Sequence, residues 1–566
     1  LARYLPLKSP AHISLHYTAL VVLFYAMLGV VLSDGGYSFL FFWELMTVAS
    51  FLLILFDAER REVRRAALSY LIMMHIGFVL LVVGFVRLEA VTGSAAFGAL
   101  AEYFRTQPAL PLFAVFLAGF GMKAGLFPMH VWLPEAHPAA PSHVSALMSG
   151  VMIKTGVYGI LRTTAALGEL PALRTAGYIL LAAGILTGLW GVVLAAAQND
   201  VKRLLAYSSI ENVGVILIGL GVAALGKSSG NQLVALCGVT GALLHTLNHS
   251  LFKSLLFFGA GNILSQTHTT SLDALGGLAK HMPLTAILFL TGTAAICALP
   301  PLNGFVSELL IYLGMLDGIA SGSNVLASAA GLAALALIGG LVVLAFTKLY
   351  GTVFLGSPRT HEVAESSEAD TFRIAAMALP LAGILFVGLF PRAAVSAATR
   401  AAGFFLRTPA DAADWLLSPP LAAAGRTAWI LIAVVCLLLW LRRRTLRTRT
   451  VAKGPTWGCG FTAPNVRMQY TGESFSEGLQ SIATSLTQNS GEGSPVPKSE
   501  IFPGAHSFDV GHRDRIGRLF AAWWVELLRV INQRVMRLRT GKINHYILFA
   551  LAFLGLVFLL SVFNAI

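Results

Sequence analysis

Charge is what this 566-residue chain has least of, since Asp, Glu, Lys and Arg make up only 12% of it against about 25% in ordinary soluble domains. So few charged side chains cannot coat the three or four soluble domains that the length would otherwise suggest. Cysteine is scarce too. Cys237, Cys297, Cys436 and Cys459 stand singly, and no spacing offers a disulfide framework, a zinc site or an iron–sulfur cluster. There is no Gly-x-Gly-x-x-Gly element and no phosphate loop, which leaves nothing in the sequence to hold a nucleotide or an electron carrier. No signal peptide precedes the first apolar run and the sequence starts at Leu1, so a missing N-terminus is expected.

Apolar residues are what the chain has in abundance, at 56% of the sequence and a mean hydropathy of +0.74. Its 55 Gly and 23 Pro fit a polytopic membrane protein, because helices packed in lipid tolerate both. Stretches of about 20 apolar residues predict thirteen spans in an all-α fold. They lie near 14–33, 37–56, 66–87, 110–129, 143–165, 175–197, 206–225, 231–260, 283–316, 325–355, 372–390, 426–441 and 544–563. The run at 283–316 must break at Leu299-Pro300-Pro301-Leu302-Asn303-Gly304, where two prolines lack amide donors and Gly304 relaxes the backbone.

Orientation follows from alternate loops. One set holds Arg60, Arg61, Arg64, Arg65, Lys202, Arg203, Lys280 and the segment 442–542; the other holds Arg105, Arg174, Lys227 and a few arginines between 392 and 407. The richer set is read as cytoplasmic, which places the start of the sequence inside and the C-terminus outside a cytoplasmic (inner) membrane. Segment 442–542 has 16 Lys and Arg against 7 Asp and Glu, so +9 of the formal +13 sits there. Its opening, Arg442-Arg443-Arg444 through Arg447, Arg449 and Lys453, directly follows a span and reads as a positive-inside anchor rather than a nucleic-acid site. Residues 485–500, rich in Ser, Gly, Thr and Pro, read as a loop. From 515 to 541, Ile516, Leu519, Phe520, Trp523, Leu527, Val530, Ile531 and Leu538 recur at helical steps. That pattern predicts an amphipathic helix, lying in the membrane interface or packed on a soluble partner subunit.

Chemistry has to lie in ionisable residues inside spans, each of which costs at least ~2.5–3.5 kcal/mol at mid-membrane. These are Glu44, Lys123, Lys154, then His245, His249 and Lys253 at steps of four on one helix stripe, then Glu308 just past the proline break. A single buried Lys can snorkel and a single Glu can merely tie helices together; a series in successive spans is harder to dismiss. His245 and His249 have the spacing of a zinc pair, but no Glu follows the first His and Lys253 on the same stripe would repel a cation. A row of Glu, Lys, His, Lys and Glu in a dry interior is what proton transfer requires, because a carboxylate near a buried lysine decides whether the lysine keeps its proton. Glu211 reads equally as a second pathway carboxylate or as a cap near a span's start. His75, Lys348 and Glu135 are similarly open.

The run from Lys123-Ala124-Gly125-Leu126-Phe127-Pro128-Met129-His130-Val131-Trp132-Leu133-Pro134-Glu135-Ala136-His137-Pro138 to Val144-Ser145-Ala146-Leu147 resembles the proton-conducting membrane transporter family. That family includes complex I antiporter-like subunits, multi-subunit cation/proton antiporters and membrane-bound hydrogenase subunits. Trp43-Glu44-Leu45, Lys202-Arg203-Leu204-Leu205-Ala206-Tyr207-Ser208-Ser209 and Asn248-His249-Ser250-Leu251-Phe252-Lys253 fit it too, so the match runs to about residue 440. Ser209-Ile210-Glu211-Asn212-Val213-Gly214, Trp457-Gly458-Cys459-Gly460 and Arg467-Met468-Gln469-Tyr470 look most like the hydrogenase-4 and formate hydrogenlyase membrane subunits.

The resemblance implies two inverted five-helix repeats with interrupted helices, at residues 1–170 and 171–360. Further spans at 361–441, the basic cytoplasmic segment with a lateral helix at 442–542 and an anchor at 543–566 would follow. About three N-terminal spans of the family find no match. It also implies that Glu44 and Lys123 are paired switch residues, that Lys154 is the next lysine inward, that His245, His249 and Lys253 form the central axis, and that Glu308 is terminal. Pro128, Pro300, Pro301 and Gly304 mark the breaks, which fit the rule that paired Pro/Gly-interrupted segments flag an ion path. The expected protein is a proton-translocating, non-redox subunit of an oxidoreductase complex, with no cofactor of its own. Its partners would be other membrane subunits and a hydrophilic redox arm carrying the NiFe centre and iron–sulfur clusters, with no nucleic acid. Two other readings stand beside it: a sodium or potassium/proton antiporter subunit without redox coupling, and a scaffold that only anchors the catalytic arm.

Overall fold

The computed structural model describes residues 9–406, 410–450, 460–461, 465–482, 487–493, 501 and 508–515, with scattered positions from 517 to 533. The chain divides into a compact unit ending at Asp514 and a second from Arg515 onward.

In the first unit, α1 (Pro10–Leu32), α2 (Gly36–Ile54) and α3 (Arg61–Thr92) are followed by the short α4 (Leu100–Thr106). Next come α5 (Ala109–Ala124), α6 (Leu133–Ala139), α7 (Ser142–Leu147) and α8 (Ile153–Ala166). Then follow α9 (Ala172–Ala197), α10 (Val201–Ser228), α11 (Gln232–Thr267), α12 (Pro283–Ile296), α13 (Asn303–Ala320) and α14 (Val325–Phe354). The short α15 (His361–Ala364) precedes α16 (Thr371–Leu389), α17 (Pro391–Leu406) and α18 (Ala410–Leu446). Outside these lie α19 (Gly472–Ile482) and an antiparallel pair, β1 (Thr487–Gly493) and β2 (Phe508–Asp514).

Twelve of the thirteen expected spans coincide with helices, and the thirteenth, 544–563, lies outside the described residues. Nine described helices are long and apolar enough to cross a membrane. The fold is thus an all-α membrane architecture of two similar sets. Each set has five crossings, α1, α2, α3, α5–α6 and α7–α8, then α9, α10, α11, α12–α13 and α14. Five is odd, so the second set runs with the opposite sense, and in both sets the fourth crossing is the broken one.

The first break follows Gly125 at φ +83, and the second contains Ala298 at φ +51 and the two prolines. At Gly304 an added Cβ would lie 2.1 Å from the Ala295 carbonyl oxygen, so only glycine lets α13 start this close to the end of α12. A further irregularity was not expected: the run 143–165 is divided by a π-helical turn, Met148–Met152, which ends two residues before Lys154. π-turns of this kind are frequent at functional sites.

The core lies around α10, in which every residue from Leu204 to Gly226 is buried. Contact with α9 is made through glycines: a Cβ on Gly214 would sit 2.4 Å from the Gly188 nitrogen. Small residues let helix backbones approach without a hydrophobic driving force between them.

One expectation about the segment after α18 changes. Residues 487–493 form β1 rather than loop, because pairing with β2 satisfies the backbone of a sequence with no strand pattern of its own. The expected amphipathic helix at 515–541 falls in the second unit, where only scattered helical residues are described; Arg529 there lies 3.6 Å from Glu526. The anchor at 543–566 and Trp457-Gly458-Cys459 lie outside the described residues.

Candidate functional site

Lys123 ends α5 immediately before the first break, and it is 1% exposed. Its ammonium donates to Thr47 Oγ1 and to Tyr70 OH, each at 3.1 Å, and lies 5.6 and 5.4 Å from the Trp43 and Tyr70 ring centroids. Trp132, from the break, stacks edge-on with Tyr70 at 5.1 Å and donates its indole N–H to the Met122 carbonyl at 3.0 Å. The break therefore braces the lysine.

Glu44 is not within ion-pair distance of Lys123. Its carboxylate meets His75 Nε2 at 3.1 Å, while remaining close enough to Lys123 for Coulombic attraction. This brings His75, left open by the sequence, to the head of the row.

Lys154 leaves the π-turn with its ammonium on the Ser149 carbonyl and on His249 Nδ1. That contact joins the fifth crossing of the first set to the third crossing of the second. On α11, His245, His249 and Lys253 all point inward and are at most 2% exposed, and each engages a different neighbour. His245 bonds Ser307 Oγ at 3.0 Å and Asn212 Oδ1 at 3.1 Å, bridging α13 and α10. Lys253 donates to the Leu205 carbonyl at 2.8 Å and to Ser208 Oγ at 2.5 Å. Glu308 follows Ser307 directly on α13. Asn248 secures the second break by donating to the Asn303 carbonyl at 2.7 Å and Ser307 Oγ at 2.9 Å.

Glu211 is not a helix cap. The N-cap of α10 is Asp200, whose carboxylate accepts from the Arg203 amide at 2.8 Å. Glu211 lies about 16 Å further along at ~1.5 Å per residue and is 3% exposed. The predicted start near 206 was late because Val201-Lys202-Arg203 reads as loop, whereas Lys202 is buried against the Ala140 carbonyl at 2.9 Å.

Lys348 does not join the row. It is buried at the end of α9, donating to the Ala196 carbonyl at 3.0 Å and to Ser476 Oγ of α19 at 3.2 Å. A cation on the last carbonyls of a helix is a capping arrangement. The neighbouring Gln469 clamps Ser357 at two points, both 3.0 Å, so the later part of the Arg-Met-Gln-Tyr motif straps α19 and the loop after α14 together. Glu135 lies near Tyr207 with Arg203 and Asp514, also off the row.

Two pairs escaped sequence reading because their members are far apart in the chain. His130, within the first break, bonds Asp514 Oδ2 at 2.8 Å with both residues buried. His16 and His143 meet through their Nε2 atoms at 2.8 Å. Among the described residues no group of three His, Cys, Asp or Glu is placed to hold a metal ion.

Residues 35–336 match the family described as NADH:quinone oxidoreductase/Mrp antiporter, transmembrane. The chain is 37% identical to hydrogenase-4 component B of Escherichia coli (strain K12) over 477 residues, 81% of this chain and 70% of that protein. It is 36% identical to formate hydrogenlyase subunit 3 of the same organism over 350 residues, 61% of this chain and 55% of that protein. Among solved structures it is similar to a chain of the membrane-bound sulfane sulfur reductase, an archaeal respiratory membrane complex. That match has a TM-score of 0.67 and 25% identity, and covers 96% of this chain and 83% of the other.

Proposed function

The chain belongs to the NADH:quinone oxidoreductase/Mrp antiporter transmembrane family, and from that premise we propose that it is the proton-translocating, non-redox membrane subunit of a hydrogenase-4-like or complex I-like oxidoreductase. Redox energy released in partner subunits drives a proton from the Glu44, His75 and Lys123 group to Lys154. It then passes through His249, His245 and Lys253 to Glu308 and the far side. The observation that carries this reading is the Lys154–His249 contact, which links buried groups of the two repeats.

The partners in this reading are further membrane subunits and a hydrophilic arm holding the NiFe and iron–sulfur centres. Segment 442–542 and the chain around 58–65, 200–203 and 280 face the cytoplasm in this reading, as the distribution of Lys and Arg supports. Exchange of sodium or potassium without redox coupling is less well supported. A bare cation needs several oxygen ligands in place of its water, whereas Lys123, Lys154 and Lys253 would repel it along the row.

The experiment is to purify the chain from its own membranes, identify what accompanies it, and reconstitute that assembly in vesicles. Co-purification of a NiFe or quinone-reactive subunit, with proton uptake that persists without sodium or potassium, is expected. Sodium-dependent proton flux with no redox partner would overturn the proposal.

A further inference from the structure

The two sets of five crossings allow residues to be compared by place. In the first set, Glu44 stands on the second crossing, α2, and acts on Lys123 at the break of the fourth. In the second set, the second crossing is α10 and the fourth is α12–α13. The carboxylate on α10 is Glu211, and the ionisable residue beside the break is Glu308.

The surroundings of Glu211 follow from that place. Asn212 donates its amide to Glu211 Oε2, and the Asn212 oxygen receives His245 Nε2 at 3.1 Å. The other ring nitrogen of His245 reaches Ser307, next to Glu308. One turn before Glu211 on the same helix, Ser208 accepts the Lys253 ammonium. The charged groups that act on Glu211 are Glu308 from α13 and Lys253 from α11. Its backbone is pinned against α9, where a Cβ on Gly191 would lie 2.5 Å from the Glu211 nitrogen. A buried carboxyl between a lysine and a second carboxyl costs too much to be a neutral filler.

We propose that Glu211 is the switch carboxylate of the second repeat, occupying the place that Glu44 holds in the first, and that it takes the proton from Lys253 before Glu308 receives it. This deepens the proton-translocating reading and rests on it. At rest Lys253 is an ammonium and one proton is held between the two carboxyls, so the three groups sum to zero. Loss of that proton from Glu308 to the far side leaves one net negative charge. Lys253 then passes its proton by way of Ser208 and water to Glu211, becoming a neutral amine. Glu211 hands the proton to Glu308, and the amine is recharged from the Lys154–His249 side. The first repeat pairs a carboxylate with a lysine on the broken helix. The second pairs two carboxylates, and α11 supplies the lysine.

The test uses the purified assembly in vesicles and compares Glu211→Gln, Glu211→Asp and Lys123→Met for protons moved per electron. A glutamine keeps the shape and still accepts from Asn212, so a purely structural Glu211 tolerates it. We expect Glu211→Gln to retain electron transfer and lose its proton yield, and Glu211→Asp to restore it. Loss of a protonated-carboxyl band from the infrared difference spectrum of Glu211→Gln accompanies this. Normal yield in Glu211→Gln beside a lost yield in Lys123→Met overturns the role of Glu211 and leaves the general reading intact. Normal yield in both overturns the general reading. Should Glu211→Gln not assemble, Asn212→Ala, which unties Glu211 from His245 but keeps the acid, is expected to lower the yield, and an unchanged yield refutes the proposal.

Discussion

Replacing Lys123 or Lys154 by Met removes one buried ammonium in each case, yet the structure predicts different consequences for stability. Lys123 donates only to groups that keep other partners. Thr47 Oγ1 still donates to the Trp43 carbonyl at 3.0 Å, and Tyr70 OH still shares a bond with Ser50. Methionine has nearly the length of lysine and fills the space against Trp43 and Tyr70, so Lys123→Met should cost less than ~1.5 kcal/mol. Lys154 is the partner of His249 Nδ1, and His249 Nε2 has no hydrogen-bond partner among the described residues. Lys154→Met therefore strands a whole imidazole in a buried site, at about 1–3 kcal/mol. Two measurements separate these effects: proton yield per electron in vesicles, and the rate of thermal inactivation of electron transfer at one fixed temperature. Both variants should lose proton yield, while only Lys154→Met should inactivate faster. Equal inactivation rates would refute the accounting of partners, and a normal proton yield for Lys123→Met would refute its place in the row.

Other consequences can be checked singly. Gly214→Ala places a Cβ 2.4 Å from the Gly188 nitrogen and should part α9 from α10 at a cost of roughly 1–3 kcal/mol. It should lower the amount of chain in membranes, whereas Gly340→Ala, with nothing within 4 Å, should not. Lys348→Met is expected to leave proton yield intact and to make the segment around α19 more sensitive to protease, because it removes the bonds to Ala196 and Ser476; a lost yield would return Lys348 to the row. Asp514→Ala deprives the His130 ring of its hydrogen bond at Nε2, and His130 Nδ1 has none among the described residues. It should destabilise the assembly by about 1–3 kcal/mol, read as faster proteolysis between α19 and β2.

Much of this arrangement was legible because membrane helices write themselves into sequence at one scale. A 20-residue apolar run is visible without any knowledge of its neighbours, and so is a charge that interrupts it. Pro300-Pro301 and Gly125 betray the breaks by the same local logic. What escaped depended on the partner. Glu211 reads equally as a cap or a pathway carboxylate because the apolar run starts only near 206, and nothing in Val201-Lys202-Arg203 announces that Lys202 is sealed against Ala140. The π-turn at 148–152 has no sequence signature of its own. His130 and Asp514 are 384 residues apart, and β1 forms from Thr, Gln, Asn, Ser, Gly and Glu only because β2 is there to pair with it.

The enclosure of α10 bears on how the protein is made. A helix buried from Leu204 to Gly226 touches its own chain on every side and meets no lipid along that stretch. It also carries Lys202 and Glu211, which a lipid-facing helix would hold only at a cost of several kcal/mol. As synthesis proceeds, α10 leaves the insertion machinery after α9 and before α11 to α14. The glycine seam with α9, beside the Ala140 carbonyl that Lys202 meets, is then ready to receive it. The two helices should accordingly enter the bilayer together as a hairpin, and α11 to α14 should close around them afterwards.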